Sequence, residues 1–230
     1  MTERKSSPML SLEFPQKGVG LLTIKSFDRN RLGGPDQHFE KFLAKCFSEL
    51  NEKNVKNLII DLRENAGGQD EYGPLLYSYL TSKPFRYYGS IESTSKVFGK
   101  EENPLLATLQ PHAENFGGKV FILINGLSFS TTAEFCAIAK SNERAVFIGE
   151  EMGGGYYGNT SGQTIKIELP NSRVQVIIPK LKYENQVRAS TYADRGIIPD
   201  HQVSPDVQDY VDGRDSSLQY TFDLIDRSKK

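Results

Sequence analysis

The sequence of 230 residues contains only two cysteines, Cys46 and Cys136, and no long apolar run. Two cysteines are too few for a disulfide scaffold. No stretch approaches the roughly 18 uninterrupted apolar residues that a membrane helix needs. The polar start, Met1-Thr-Glu-Arg-Lys-Ser-Ser-Pro8, is not followed by the apolar centre of a signal peptide. We therefore expect neither a membrane segment nor a signal peptide in this chain.

An excess of charge of one sign is also absent. The chain has 28 Lys and Arg against 29 Asp and Glu, for a formal net charge of -1. Nucleic-acid-binding domains concentrate basic charge, so we expect no nucleic acid partner. The length fits one large domain. We assign residues 1–18 to an N-terminal extension and residues 19–230 to the core.

Apolar runs and amphipathic segments alternate along the first two thirds of the chain. Buried-type strands are predicted at 19–27, 55–62, 119–124 and 145–148, and helices at 74–80 and 128–140. A further helix is predicted after Asp36, which could cap it, with one face formed by Phe39, Phe42, Leu43, Cys46, Phe47 and Leu50. Strands that alternate with helices indicate an α/β architecture with parallel pairings.

The remaining segments have other patterns. Residues 164–169 and 174–179 partly alternate apolar and polar side chains around Pro170-Asn171-Ser172, which predicts a β-hairpin laid on the core. A short strand is predicted at 196–200 and a final helix at 209–225. Residues 88–118 are irregular and are expected to form a loop-rich excursion.

Three of the predicted strands end in glycine-containing turns, at 65–68, 125–126 and 153–155. Ligands of α/β proteins gather at the carboxyl ends of strands, and glycine lets backbone N–H groups approach them. These turns therefore predict one shared site. None of them has the phosphate-binding pattern that ends in Gly-Lys-Ser/Thr, which disfavours a nucleotide site.

The second turn leads into Ser128-Phe-Ser130-Thr-Thr-Ala-Glu134. A serine at a helix start is most often an N-cap. The alternative is a nucleophile at a strand-to-helix turn, where the helix N-terminus favours developing negative charge. The Gly67-Gly68 loop and the backbone N–H of Thr131 would then supply oxyanion donors.

Four segments together resemble the S41 peptidases, that is, the C-terminal processing peptidases and their tricorn-like relatives. The segments occur in the family's order over roughly residues 19–205. They are Leu58-Ile-Ile-Asp-Leu-Arg-Glu-Asn-Ala-Gly-Gly68, Phe121-Ile-Leu-Ile-Asn-Gly-Leu-Ser-Phe-Ser-Thr-Thr-Ala-Glu134, Ile148-Gly-Glu-Glu-Met-Gly-Gly-Gly155 and Gly196-Ile-Ile-Pro-Asp200.

The resemblance implies a crotonase/ClpP-like core of stacked ββα units, to which the predicted C-terminal hairpin is added. It implies a serine-type endopeptidase with Ser130 as nucleophile and Ser128 as the second choice. The oxyanion donors would be backbone N–H groups of Gly67 or Gly68 and of Thr131. The implied substrate is an unfolded or C-terminal polypeptide segment, added as a strand to a sheet edge. No metal or organic cofactor is expected, because no Cys/His cluster has ligand spacing.

The sequence departs from the family at the general base. The processing-peptidase branch uses a lysine just after the Gly-Glu segment, but residues 153–155 are glycines and no lysine occurs between Lys140 and Lys166. The tricorn-like branch uses a histidine from an upstream segment. The histidines of this chain, His38, His112 and His201, are each interpreted as solvated. Lys25 is interpreted as a snorkelling side chain, and the Asp61–Arg63 pair as a holder of its loop.

Relatives usually carry a PDZ domain and a cap region before this core, and the ~18 residues ahead of the first predicted strand hold neither. They are often found in the cell envelope or outside the cell. Two alternatives stay open: a catalytically impaired module that binds peptides, and an acyl-thioester enzyme of the crotonase superfamily. The sequence does not define the oligomeric state.

Overall fold

A computed structural model describes residues 8–32, 38–190 and 194–228. Asp36, the predicted helix cap, lies outside these residues. The helices are α1 (Phe39–Glu52), α2 (Tyr72–Ser78), α3 (Thr131–Ser141), α4 (Val207–Asp212) and α5 (Ser216–Arg227). The strands are β1 (Leu10–Gln16), β2 (Val19–Ile24), β3 (Asn57–Asp61), β4 (Phe85–Arg86), β5 (Tyr88–Ser93), β6 (Thr108–Leu109), β7 (Lys119–Ile124), β8 (Val146–Gly149), β9 (Gly158–Ser161), β10 (Ile165–Glu168), β11 (Gln175–Ile178), β12 (Leu181–Asn185) and β13 (His201–Gln202).

The main sheet has six strands in the order β1-β2-β3-β7-β8-β13. Strands β1 and β2 pair antiparallel, and all other neighbours pair parallel. The apolar runs predicted as buried strands form its centre, where Leu58 of β3 lies between Gly20 of β2 and Val120 of β7. The prediction of an α/β architecture with parallel pairings is confirmed.

Helices cover both faces of this sheet. Helices α1, α2 and α3 pack on the face that carries Leu58 and Ile60, whereas α5 packs on the face that carries Ile59. Because successive strand residues point to opposite faces, the continuous run at 58–60 serves both layers. The amphipathic face predicted for α1 is the one that it buries, through Phe39, Leu43, Cys46, Phe47 and Leu50.

Several elements differ from the sequence prediction. Residues assigned to the N-terminal extension form β1, the antiparallel edge of the main sheet. The segment predicted to be irregular contains β5. This strand was not predicted because its partner, β12, comes roughly 90 residues later in the chain. The strand expected at 196–200 is instead β13, at residues 201–202 beside β8.

The predicted final helix is two helices. It breaks at Gly213, whose φ of 63° ends α4 in a left-handed conformation. Asp215 then caps α5 by accepting a hydrogen bond from the Leu218 N–H.

Strands β9 and β12 pair antiparallel and join β5 in a three-stranded sheet of order β5-β12-β9. Beyond them the same two chain segments continue as β10 and β11, which pair with each other in a separate two-stranded sheet. We call residues 163–180 the arm. Every residue of the arm is exposed, so the hairpin strands form but do not lie on the core as predicted.

Cys46 and Cys136 are both buried with free thiols. Among the described residues, no helix is both long and apolar enough to cross a membrane. The assignment to the crotonase/ClpP-like group stays a prediction.

Candidate active site

Ser130 lies where β7 turns into α3, and its backbone is unusual. Its φ of 54° and ψ of -129° place a non-glycine residue in a sparsely populated region. Such a conformation costs about 1–3 kcal/mol and persists only where the surroundings impose it. The side chain makes no capping hydrogen bond, so Ser130 is not an ordinary N-cap. A strained serine at a strand-to-helix turn is the geometry of a nucleophile elbow.

Ser128 has a different environment. It is fully buried, and its Oγ donates to the Leu62 carbonyl at 2.9 Å and accepts from the Asn125 N–H at 3.1 Å. The hydroxyl therefore joins the ends of β3 and β7. Because its Oγ already makes these two hydrogen bonds, Ser128 is disfavoured as the nucleophile.

The Gly67-Gly68 loop lies directly against Ser130. A Cβ atom at Gly67 would lie 2.7 Å from the Ser130 Cβ and 3.0 Å from the Thr131 nitrogen. A Cβ atom at Gly68 would lie 2.0 Å from the carbonyl carbon of Phe27. Only residues without a side chain fit these two positions.

Two backbone donors beside Ser130 are free. The Gly67 N–H donates to Asn65 Oδ1 at 2.9 Å, whereas the N–H groups of Gly68 and Thr131 make no hydrogen bond to another described residue. The Thr131 side chain links the two segments by donating to the Gly68 carbonyl at 3.2 Å. Of the two glycines predicted as oxyanion donors, Gly68 is thus the one with an available N–H.

The third glycine turn lies against Ser130 and the start of α3. A Cβ atom at Gly154 would lie 2.3 Å from the Ala133 Cβ and 3.3 Å from the Ser130 nitrogen. A Cβ atom at Gly153 would lie 2.4 Å from the Gly126 carbonyl oxygen. These contacts bring the three turns together, and the shared site stays a prediction. The segment where the processing-peptidase branch has its lysine is filled here by backbone alone.

A buried carboxyl group lies on the same helix. Glu134 accepts hydrogen bonds from the Tyr88 hydroxyl and the Asn159 amide, both at 2.6 Å. Burial raises the pKa of Glu134 to about 7 although both hydrogen bonds act to lower it. Nearby, Asp70 accepts from the Tyr183 hydroxyl at 3.0 Å, and burial raises its pKa.

Sequence reasoning assigned no role to Glu134 or Asp70. A signal for Glu134 was present: α3 is apolar or small at almost every position from 131 to 139. A lone carboxyl group on a helix buried all round needs partners.

The Asp61–Arg63 pair is part of a larger ion-pair cluster. Arg63 donates to both carboxylate oxygens of Asp61 and to both of Asp215, at 2.7 to 2.9 Å. Burial opposes ionisation of Asp215, but its hydrogen bonds with Arg63 and the Leu218 N–H outweigh this and lower its pKa. The cluster ties the loop after β3 to the start of α5, in agreement with the predicted holding role.

None of the candidate bases reaches Ser130 in the described part of the chain. His38 is an exposed residue at the start of α1. His112 stacks on Tyr79, with ring centroids 3.9 Å apart, and His201 hydrogen-bonds to Tyr220 at 3.1 Å.

Lys25 lies 3.8 Å from Asp61 Oδ2. It lines a cavity of about 310 Å³ together with Arg63 and Asp215, and neither Ser130 nor the Gly67-Gly68 loop lines that cavity. Within the described residues, no group of three or more His, Cys, Asp or Glu side chains could hold a metal ion.

Comparison with known proteins places this chain in a family. The sequence profile described as "Peptidase family S41" matches residues 18–203. This chain belongs to peptidase family S41.

Two curated relatives are similar to this chain in sequence. A protein of Staphylococcus epidermidis named "Probable CtpA-like serine protease" is 26% identical over 165 residues, which is 71% of this chain and 30% of that protein. The tricorn protease of Thermoplasma acidophilum is 24% identical over 177 residues, 76% of this chain and 15% of that protein. The chain thus spans less than a third of the length of either S41 relative.

The fold is also similar to solved structures. A protein from Parabacteroides merdae superposes with a TM-score of 0.65 and 23% identity, over 97% of this chain and 66% of that one. This likeness shows that the mixed α/β fold with its parallel sheet is shared.

Proposed function

We propose that this S41 chain is the catalytic core of a serine-type endopeptidase that cleaves unfolded or C-terminal polypeptide segments. Ser130 Oγ attacks the scissile carbonyl carbon, and the N–H groups of Gly68 and Thr131 bind the resulting oxyanion. The observation that carries the proposal is the strained backbone of Ser130 beside the N–H groups of Gly68 and Thr131, which make no hydrogen bond to another described residue.

The reaction would proceed through an acyl-enzyme. The Oγ–carbonyl bond forms as the Oγ proton leaves to a base, and the peptide C–N bond breaks as the amine takes up a proton. Water then hydrolyses the ester and returns the proton to Ser130. The start of α3 at Thr131 favours the negative charge that develops on the oxyanion.

The described residues do not supply a general base for Ser130. No titratable side chain hydrogen-bonds to Ser130 Oγ among residues 8–32, 38–190 and 194–228. Since the chain corresponds to a small share of its relatives' length, we assign the base to a segment outside this chain. The PDZ and cap regions expected from the resemblance belong to the same proposal.

The peptide would bind in extended form. The sheet of order β5-β12-β9 ends at β9, whose outer edge has no partner strand in the described structure. Asn159 of β9 hydrogen-bonds to Glu134, on the helix that Ser130 opens. An extended segment paired with β9 would therefore run beside α3.

A serine-directed fluorophosphonate probe tests the proposal. We expect labelling that Ser130→Ala abolishes and that Ser128→Ala retains, because the Ser128 hydroxyl is engaged in hydrogen bonds whereas the Ser130 hydroxyl makes none to another described residue. In this chain, without its base, the labelling rate should rise continuously with pH and show no plateau near neutrality. Absence of labelling at saturating probe, both here and in a longer protein that contains this chain, would refute the peptidase assignment.

The second candidate is a peptide-binding module that keeps the fold without catalysis. The observation in its favour is the lack of a base near Ser130. It predicts binding of an unstructured peptide, measured by calorimetry, with no labelling of Ser130 at any pH. Tight binding of coenzyme A in the same calorimeter would instead favour the acyl-thioester alternative.

A further inference from the structure

The arm has an apolar face that nothing in the described structure covers. In the pairing of β10 with β11, Ile165 lies opposite Ile178 and Ile167 lies opposite Val176. Alternation adds one residue at each strand end to this face. Its members are 37–55% exposed: Ile165, Ile167, Leu169, Val174, Val176 and Ile178. A two-stranded hairpin in water is only marginally stable, whereas more strands with an apolar face are stable.

The outer edge of β10 is available for pairing. The Leu169 N–H donates to the Val174 carbonyl at 3.0 Å, so the backbone of Leu169 faces β11. In an antiparallel ladder this orientation alternates, so Ile167 also faces β11, while Lys166 and Glu168 direct their N–H and C=O groups to the free edge. Such an edge is a template for another strand.

The sequence of β10 is complementary to itself. If a second β10 runs antiparallel about Ile167, Lys166 of each copy lies opposite Glu168 of the other. These are the residues whose backbone groups face outward, so charge pairing and hydrogen bonding select the same register. Moving the register by two residues places Lys166 opposite Lys166, or Glu168 opposite Glu168. Like charges directly opposite are destabilising, so one register is favoured.

The edge of β11 lacks this complementarity. Its outward-facing residues are Gln175 and Ile177, and the next outward position is Pro179, which has no N–H to donate. On β10, Glu168 has an ion pair with Arg173 at 2.6 Å, while Lys166 has none with another described residue. Lys166 is therefore free to pair across an interface.

We propose that the chain forms a homodimer through antiparallel pairing of its β10 strands. The result is a four-stranded sheet, two strands from each copy, with one continuous aliphatic face and one face that carries two Lys166–Glu168 pairs. A second copy of the chain is the partner that fits, because the strand offers its own complement in both charge and backbone direction. The proposal does not depend on the peptidase assignment.

Sedimentation velocity of the full 230-residue chain over a range of concentrations tests the dimer. We expect reversible dimerisation of the natural chain. Lys166→Glu and Glu168→Lys should each raise the dissociation constant at least about tenfold, because each places like charges opposite one another twice. An equimolar mixture of the two variants should recover the dimer. In the pairing centred on Ile167, the two acidic side chains of one variant then face the two basic side chains of the other.

Lys180→Glu is the matched control. It makes the same charge change as Lys166→Glu on the same arm, but it lies outside β10, and we expect it to leave dimerisation unchanged. Because these side chains are exposed, far-UV circular dichroism should show the same fold for every variant.

Three results would overturn the proposal: a natural chain that stays monomeric, single variants that dimerise like it, or a mixture that does not recover the dimer. The first would assign the apolar face to a different partner. Fluorophosphonate labelling of Ser130, measured on the same samples, should be equal in all variants. It separates failure of the dimer from failure of the peptidase proposal.

Discussion

Ser130→Gly should stabilise the protein relative to Ser130→Ala, because the two variants differ only in the Cβ atom that the backbone penalises. At φ 54° and ψ -129° a Cβ-bearing residue carries about 1–3 kcal/mol of strain. Glycine removes that strain and adds roughly 0.5–1 kcal/mol of conformational entropy cost on folding. The difference should therefore favour glycine by up to about 2.5 kcal/mol. A shift of about 2–4 °C in Tm accompanies each kcal/mol for a chain of this size.

Urea denaturation monitored by circular dichroism measures this difference. The matched control is Ser128, two residues earlier, which does not have a positive φ. There, Ser128→Gly should be less stable than Ser128→Ala. If Ser130→Gly were less stable than Ser130→Ala, the backbone of Ser130 would not be strained, and the nucleophile-elbow argument would fail with it.

Two further substitutions test the site. Gly68→Ala should destabilise the fold by several kcal/mol (roughly 2–4) and abolish probe labelling, because its Cβ would lie 2.0 Å from the Phe27 backbone. Gly99→Ala, where nothing lies within 4 Å, is the control and should change neither property. Glu134→Gln should remove a pH dependence of stability. Burial raises the pKa of Glu134 from 4.5 to about 7, so its contribution is complete below pH 4.5 and is lost as the pH rises through about 7. Above that pH the glutamine variant should gain up to about 3 kcal/mol relative to the natural chain. If the free energy of unfolding varied with pH in the same way for Glu134→Gln and the natural chain, the raised pKa of Glu134 would be contradicted.

The parts of the fold that the sequence predicts are those whose pattern is local. The continuous run at Leu58–Ile60 and the amphipathic spacing from Phe39 to Leu50 give β3 and α1 directly. Strand β5 was missed because its stability comes from β12, a distant segment. The final helix was predicted as one because Gly213 can stand inside a helical pattern, and only its positive φ shows the break.

The candidate site likewise has a part that the sequence predicts and a part that it does not. The four segments in the family's order indicated Ser130 and the glycine turns as candidates, although each segment alone has other uses at strand ends. The hydrogen bond that engages the Gly67 N–H comes from a side-chain conformation of Asn65. The partners of Glu134 come from β5 and β9, both missed as strands. The first feature depends on a local side-chain conformation and the second on long-range strand pairing, and the sequence pattern shows neither.

The closure of the third glycine turn has an evolutionary consequence. Side chains at Gly153, Gly154 and Gly155 would meet the Gly126 carbonyl oxygen, the Ala133 Cβ and the Gly158 carbonyl oxygen at 2.4, 2.3 and 2.8 Å. No single substitution in this turn can introduce a lysine without moving the backbone or a neighbour. At Gly154 a first step would be Ala133→Gly, which costs about 1 kcal/mol within a helix. A chain with this turn therefore cannot gain the lysine that the resemblance led us to expect without at least one unfavourable intermediate.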